Sequence, residues 1–240
     1  MSLEEKAPAS NPAGPTNITA LPATASGARL WWCDLTPTAA LLKVYGGTLS
    51  ISERARAARF GTPQLRDRYV MGRGSLRQLL GHVLGKEPAA VSIIRGIRGR
   101  PQLAGIPSLD FNVSHTAAVA IIGVAEDARI GVDVEARNRG INQTGIARKF
   151  LTNRERDELA TLDDDAQRLR VLTLWTCKEA MSKATGDALS APFGRIDVDV
   201  AIGRTLRAGP GVYDLERWEL HAPRVPPEYI ATVALWRPPG

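Results

Sequence analysis

Two acids stand one residue apart in the segment Ile130-Gly-Val-Asp-Val-Glu135. In a strand, side chains alternate between faces, so Ile130, Val132 and Val134 face one way and Gly131, Asp133 and Glu135 the other. The strand rise puts the Cα atoms of the two acids roughly 6.5–7 Å apart, within reach of one hard cation. Mg²⁺ prefers oxygen ligands, keeps several waters, and binds through one or two carboxylates together with substrate phosphates. The competing reading is a half-exposed strand with two solvated acids. Further on, Trp175, Glu179 and Lys183 recur every four residues and share one face of a helix. Glu179 is then a candidate third carboxylate for the metal, and Lys183, one turn on, a candidate phosphate partner. Against this stands an exposed Glu–Lys pair contributing about 0.3–0.5 kcal/mol. Trp175 on the same stripe favours a face that packs against something.

Three weaker signals accompany these. Phe111-Asn-Val-Ser-His115 ends on an imidazole that is either structural or a donor to phosphate. Arg98-Gly-Arg-Pro101 is either a basic turn or a loop that presents backbone and guanidinium to a flat base or a phosphate. Arg54, Arg56, Arg59, Arg66, Arg68, Arg73 and Arg77 crowd one stretch. Two or three of them are expected to converge on a phosphate monoester, and the rest to be solvated.

The elements that must position these residues can be sketched from spacing. Residues 1–27, rich in Ala, Pro, Ser and Thr, are expected to form a disordered, mobile tail. A strand over 29–34 follows, then a short helix capped by Ser52 and running to about Phe60. Thr62 and Pro63 open a long helix over 63–84, closed by Gly85. Strands are expected around 91–95 and 117–124, then a polar turn at 126–129 and a strand over 130–135 antiparallel to the one before. The second half repeats the order: a helical piece over 143–150, a capping box from Thr152 and Glu155, a long helix from Asp164 to Gly186, and strands around 196–200, 212–221 and 229–236. The fold class is therefore α+β, with two similar subdomains, 28–127 and 128–240, meeting near residue 127.

Composition bounds the function classes. The chain has 240 residues, 44% hydrophobic and 23% charged, which suits a globular protein with a real core. Its 31 Lys and Arg against 25 Asp and Glu give a formal net charge of +6, which favours anionic partners. Two Cys and three His offer no zinc-ligand pattern and no disulfide framework. The most apolar run, Ala117 to Ala125, is half of the roughly 18 residues that a spanning helix needs. Glu4 and Glu5 stand where a signal peptide would carry positive charge, so a cytoplasmic protein without membrane attachment is expected. A nucleic-acid-binding module lacks an aromatic-rich basic strand or a helix-turn-helix signal, and no nucleic-acid partner is expected. A non-catalytic cofactor-binding scaffold and a metal-dependent phosphohydrolase stay open on the residues alone.

Order and spacing narrow this. Arg-Gly-Arg-Pro, Phe-Asn-Val-Ser-His, Ile-Gly-Val-Asp-Val-Glu and Trp-Thr-Cys-Lys-Glu-Ala-Met-Ser-Lys-Ala-Thr-Gly occur in that sequence, and with them residues 29–236 resemble the Sfp-type (surfactin-type) phosphopantetheinyl transferases. The resemblance implies an enzyme of two halves related by a pseudo-twofold axis, with coenzyme A in the cleft between them. It implies transfer of the phosphopantetheine arm to a serine of an acidic acyl or peptidyl carrier protein, by a monomer serving fatty-acid, polyketide or nonribosomal peptide synthesis. Asp133, Glu135 and Glu179 resemble the Mg²⁺ ligands, and Glu179 the base for the carrier serine, directly or through a water. Asp133, Glu179 and Lys183 are thus the implied catalytic set, with Lys183 also on the pyrophosphate. Ser114 and His115 resemble the pair on coenzyme A phosphate. Gly99, Arg100 and Pro101 match the loop beside the adenine, and Arg56 and Arg68 are assigned to the 3′-phosphate.

Overall fold

Caps set the helix ends in this chain, and strand edges that are already taken set its topology. The computed structural model describes residues 10–12, 17–116 and 118–237. The first half runs β1 (Ile18–Leu21), β2 (Arg29–Asp34), α1 (Ala39–Thr48), α2 (Ile51–Ala57), α3 (Pro63–Leu84), β3 (Ile93–Arg95), β4 (Pro101–Leu103), β5 (Leu109–Thr116) and β6 (Val119–Glu126). The second runs β7 (Arg129–Ala136), α4 (Gln143–Phe150), α5 (Asn153–Leu159), α6 (Asp164–Thr185), β8 (Asp197–Asp199), β9 (Thr205–Ala208), β10 (Trp218–His221) and β11 (Tyr229–Trp236).

The long helices end where their caps say. Thr62 accepts from the Leu65 N–H, Pro63 begins α3, and Gly85 closes it. Asp163 caps α6, one residue before the predicted start, and Gly186 closes it. The cap of α2 is Ser50 rather than Ser52. Ser50 accepts from the Glu53 N–H while the Glu53 carboxylate accepts from the Ser50 N–H, a box that needs the acid at the third helical position. Thr152 and Glu155 close the same box on α5, as the sequence predicts. The sequence reading missed α1, because Gly46 and Gly47 argue against a helix; Thr38 caps it and Tyr45 anchors it in the core.

Each capping-box acid also locks a long helix. Glu53 accepts from Arg77 on α3 at 2.6 Å, and Arg77 donates onward to the Pro88 and Val91 carbonyls. Glu155 accepts from Lys178 on α6 at 2.6 Å, and Lys178 donates onward to the Phe150 and Phe193 carbonyls. Both helices are 22 residues long. Arg54 and Arg156, each next in sequence to its acid, donate to the carbonyls of Leu49 and Leu151.

All pairing in the two main sheets is antiparallel, in the orders β1-β2-β6-β5 and β10-β11-β7. The predicted pairing of β6 with β7 does not occur. Both edges of β6 are occupied, by β2 and β5, so after the turn at Asp127 and Ala128 the chain leaves that sheet and β7 pairs with β11 instead. Residue 117, the first of the strand predicted at 117–124, lies outside the described residues. So do 1–9 and 13–16 of the predicted tail, but within that tail β1 pairs with β2 and buries Ile18. An edge strand satisfies the outward N–H and C=O groups of β2, which composition does not register. The strand predicted over 212–221 shortens to β10, since single turns at Gly211–Tyr213 and Leu215–Arg217 stack Tyr213 on Trp218.

Three clusters make the core. Met71, Leu76, Leu79 and Leu80 of α3 pack on Trp31, Phe111 and Ile122. Leu174, Cys177, Ala180 and Met181 of α6 pack with Phe193, Trp218 and Ala234. Between the sheets lie Leu30, Ile121 and Ala125 from one and Ile130, Val132, Val134, Val233 and Leu235 from the other. The predicted apolar face of β7 is thus buried. Gly123 permits the close approach: a Cβ there would stand 2.7 Å from Ile130 and 2.8 Å from Val132.

Candidate active site

β7 and α6 meet backbone to backbone. A Cβ on Gly131 would lie 1.8 Å from the Ala180 carbonyl oxygen, so only glycine lets the helix settle this close. The space beside Gly131 is filled by α6. The result is that Lys183 reaches β7: its Nζ donates to Asp133 Oδ1 at 2.6 Å, to Ser114 Oγ at 3.0 Å and to the Val132 carbonyl at 3.3 Å.

Asp133 is 4% exposed. Its Oδ1 also accepts from the Ser114 hydroxyl at 2.9 Å, while its Oδ2 is buried and has no hydrogen-bond partner among the described residues. Glu135, 7% exposed, pairs with Arg139. Burial holds the Glu135 carboxyl above the usual carboxylate range, and the charge of Asp133 adds to the effect. Burial and then Asp133 do the same to Glu179. The three acids therefore feel one another across the β7–α6 contact. Among the described residues, no three His, Cys, Asp or Glu side chains are gathered at metal-ligand spacing, and the Lys183 ammonium is the near counter-charge of Asp133. Trp175 packs against Phe150 and Phe193, so the stripe it shares with Glu179 and Lys183 does face other elements.

A cavity of about 490 Å³ opens on the other side of β5. Arg56, Arg68, Arg73, Pro101 and His115 supply its polar and loop-derived lining, so four of the predicted cofactor residues share one space. Phe111 and Val113 also line it, on the face of β5 that carries His115. Burial holds the imidazole below its ordinary range, helped by the charges of Arg68 and Lys183. The guanidinium of Arg56 lies 5.6 Å from the ring centre of Tyr69. Arg73, which the sequence did not single out from its neighbours, bridges the cavity wall to Glu53 at 3.1 Å.

Arg100 departs from expectation. It is 7% exposed and grips Asp110 with two parallel bonds of 2.6 and 2.7 Å. It also donates to the carbonyls of Ile130 and Lys183. Its guanidinium is thus engaged inside the protein rather than offered to a ligand, and Asp110, ten residues on, is the acid that captures it. In the same loop Gly99 takes a positive φ and Arg98 pairs with Asp187. The sequence reading missed Asp110 and Asn112, although polar Asp110, Asn112 and Ser114 alternate with apolar Phe111 and Val113.

Comparison with known proteins matches this arrangement to one family. The family described as the 4'-phosphopantetheinyl transferase superfamily matches residues 129–234, and one described as 4'-phosphopantetheinyl transferase, N-terminal, matches residues 33–127. The chain is 36% identical over 179 residues to 4'-phosphopantetheinyl transferase HetI of Nostoc sp., covering 73% of this chain and 74% of the relative. It is 29% identical over 195 residues to putative 4'-phosphopantetheinyl transferase slr0495 of Synechocystis sp., covering 80% and 78%. Against 4'-phosphopantetheinyl transferase Sfp of Bacillus subtilis the identity is 28% over 173 residues, covering 65% and 76%. With both halves matched, and with a relative 36% identical over 73% of this chain, the chain belongs to the 4'-phosphopantetheinyl transferase superfamily.

Proposed function

We propose that this chain moves the 4'-phosphopantetheine arm of coenzyme A onto a serine hydroxyl of a carrier protein and releases 3',5'-ADP. Family membership supports the reaction class. The observation that carries the centre is Asp133: buried, one oxygen held by Lys183 and Ser114, the other without a hydrogen-bond partner among the described residues, near two more acids of the same charge. A hard divalent cation fits this donor set, as a partner for the free oxygen and a counter-charge for the carboxylates. In this reading Asp133, Glu135 and Glu179 hold Mg²⁺, which when bound neutralises charge on the pyrophosphate of coenzyme A. Lys183 keeps a second positive charge at the same phosphates, and Glu179 takes the proton of the attacking serine. Arg56, Arg68 and His115 receive the 3'-phosphate side of coenzyme A in the cavity, beside the loop of Gly99 and Pro101. Arg100 supports that loop and the strand behind it, and Ser114 orients Asp133.

The subdomains 28–127 and 128–240 are read as related by a pseudo-twofold axis. Supporting this are the matched orders β2-β6-β5 and β7-β11-β10 and the matched locks of Glu53 with Arg77 and Glu155 with Lys178. Both walls of the cleft then come from one chain, so a monomer suffices. The net charge of +6 suits an acidic carrier protein, and a cytoplasmic site of action follows from coenzyme A as donor. Mass spectrometry of apo-carrier proteins incubated with the enzyme, coenzyme A and Mg²⁺ tests the reading. Fatty-acid, polyketide and peptide-synthesis carriers are compared, and at least one gains the mass of the arm. Carriers of all three kinds that keep their mass would overturn it.

A further inference from the structure

The outer edge of β7 is satisfied in an unusual way. Pairing with β11 takes one edge of the strand, with Thr232 opposite Asp133 and Ala234 opposite Gly131. On the other edge the N–H groups of Ile130, Val132 and Val134 would be left open, and a buried open N–H costs about 1–3 kcal/mol. Among the described residues no backbone strand fills that edge. Asp110 Oδ2 accepts from Ile130 N–H at 2.8 Å, Asn112 Oδ1 from Val132 N–H at 3.0 Å and Ser114 Oγ from Val134 N–H at 3.3 Å. The three acceptors stand at alternate positions of β5, and each bonds an amide twenty residues further on, so the ladder keeps one register throughout. Arg100 and Lys183 take the carbonyls of Ile130 and Val132 on the same edge.

We infer that Asp110 and Asn112 are positioning residues for the Asp133 centre: as side-chain rungs they fix the register of β7, and through Arg100 they fix the backbone of Lys183. The inference rests on the reading of Asp133 as a metal ligand. The Asn112 bond fixes the Gly131–Val132 peptide, one peptide ahead of the acid, and the Val132 carbonyl in the peptide that leads into Asp133 accepts from Lys183. Arg100 donates to the Lys183 carbonyl at 2.9 Å while Asp110 holds its fork, so the strand and the helix that bear Asp133 and Lys183 share one anchor. β5 thereby serves two sites at once. Its even-numbered residues hold the acid strand, and Phe111, Val113 and His115 line the cavity, which Asn112 also borders.

The test compares N112L, which has the shape but no acceptor, with N112D, which keeps the acceptor. Mn²⁺ uptake without coenzyme A is read by electron paramagnetic resonance, and backbone amide exchange is read on the same proteins. N112L is expected to bind Mn²⁺ roughly tenfold to a hundredfold more weakly than wild type, as loss of an outer support to a metal ligand does, and N112D to restore binding. In N112L the Val132 amide exchanges faster while those of Gly131 and Asp133, on the β11 side, stay protected. An N112L protein that binds Mn²⁺ within about twofold of wild type overturns the inference, because loss of an outer support should exceed that margin. Wild-type protein that takes up no Mn²⁺ overturns the metal reading itself, and the exchange pattern then judges the ladder alone. Should N112L not fold, the wild-type amide of Val132 decides: protection equal to that of Asp133 upholds the rung, and free exchange removes it.

Discussion

At the residue scale, Asp133 and Lys183 define each other. Without a cation the ammonium of Lys183 is the charge that makes a buried carboxylate tolerable at 2.6 Å. Replacing it by methionine should lower kcat roughly 10²–10³-fold, the cost typical of losing one preorganised charge at a phosphate. The metal-free K183M protein should also unfold more easily, and added Mg²⁺ should reverse that loss. Urea titrations with and without Mg²⁺ check this, and a Mg²⁺-insensitive midpoint would count against a metal at Asp133. His115 offers a second handle. Arg68 from α3 and Lys183 from α6 join burial in holding its imidazole below the ordinary range. A phosphate dianion arriving beside it favours the protonated form, so its pKa in the complex lies above that in the free enzyme. Binding then takes up a proton, and coenzyme A affinity rises as pH falls from above the bound value to below the free one. Calorimetry across about pH 5–8, the range in which a histidine titrates, should show that slope in wild type and a flatter one in H115Q. Equal slopes would remove His115 from the phosphate. Strand and helix periods bring Asp133, Glu179 and Lys183 to shared faces, while the roles proposed for them and for His115 come from the order of the motifs and the resemblance they carry. Arg100 is not: nothing in Arg-Gly-Arg-Pro tells that Asp110 will fold back within reach of its guanidinium.

At the element scale, local signals and topology separate. Thr62-Pro63, Gly85, the Thr152/Glu155 box and Gly186 announce their helices, since caps act within four residues. The turn at Asp127 and Ala128 announces only that the chain reverses, and a hairpin was the natural reading. What decides is that β6 already has two neighbours, a fact held by residues far away in sequence. The role of β5 was hidden for a related reason: its polar residues look like those of a surface strand, while their partners are the backbone amides of β7. The contact of β7 with α6 can be tested at Gly131. A methyl group there would collide with the Ala180 carbonyl and approach the Ala184 nitrogen at 2.7 Å, both of them backbone atoms that cannot rotate away. G131A should lower stability by about 1–3 kcal/mol or more, as overpacking does, and should move Lys183 from Asp133. The urea midpoint reads the first effect and kcat the second. A variant with wild-type values for both would show that the helix has slack that the structure denies it.

At the scale of the whole molecule, two halves that each carry a buried lock are joined by a packed seam. Glu155 and Lys178 are 0% exposed, and the Glu53 lock is nearly as dry. Such pairs add little net stability when intact, but removing one partner strands a buried charge at a cost of about 3–5 kcal/mol. E53Q should pay that cost at neutral pH. Its acid dependence follows from the carboxyl of Glu53, which burial would raise but which Arg77, the Ser50 N–H and Arg73 together hold below the usual range. A depressed folded value means that the stabilisation is complete above the unfolded value of about 4.3 and is lost as pH falls through the folded one. The difference between wild type and E53Q should therefore be largest at neutral pH and shrink in acid. The seam decides how far the damage spreads. Leu30, Ile121 and Ala125 interlock with Val132, Val134 and Val233, and Gly123 leaves no gap, so the halves should open as one cooperative unit. Amide exchange by mass spectrometry then has a definite outcome: in E53Q the core of α6 loses as much protection as the core of α3, although the substitution touches only the first half. Loss confined to α3 would mean that the halves unfold separately, and that the cleft between them is a hinge rather than a fixed groove.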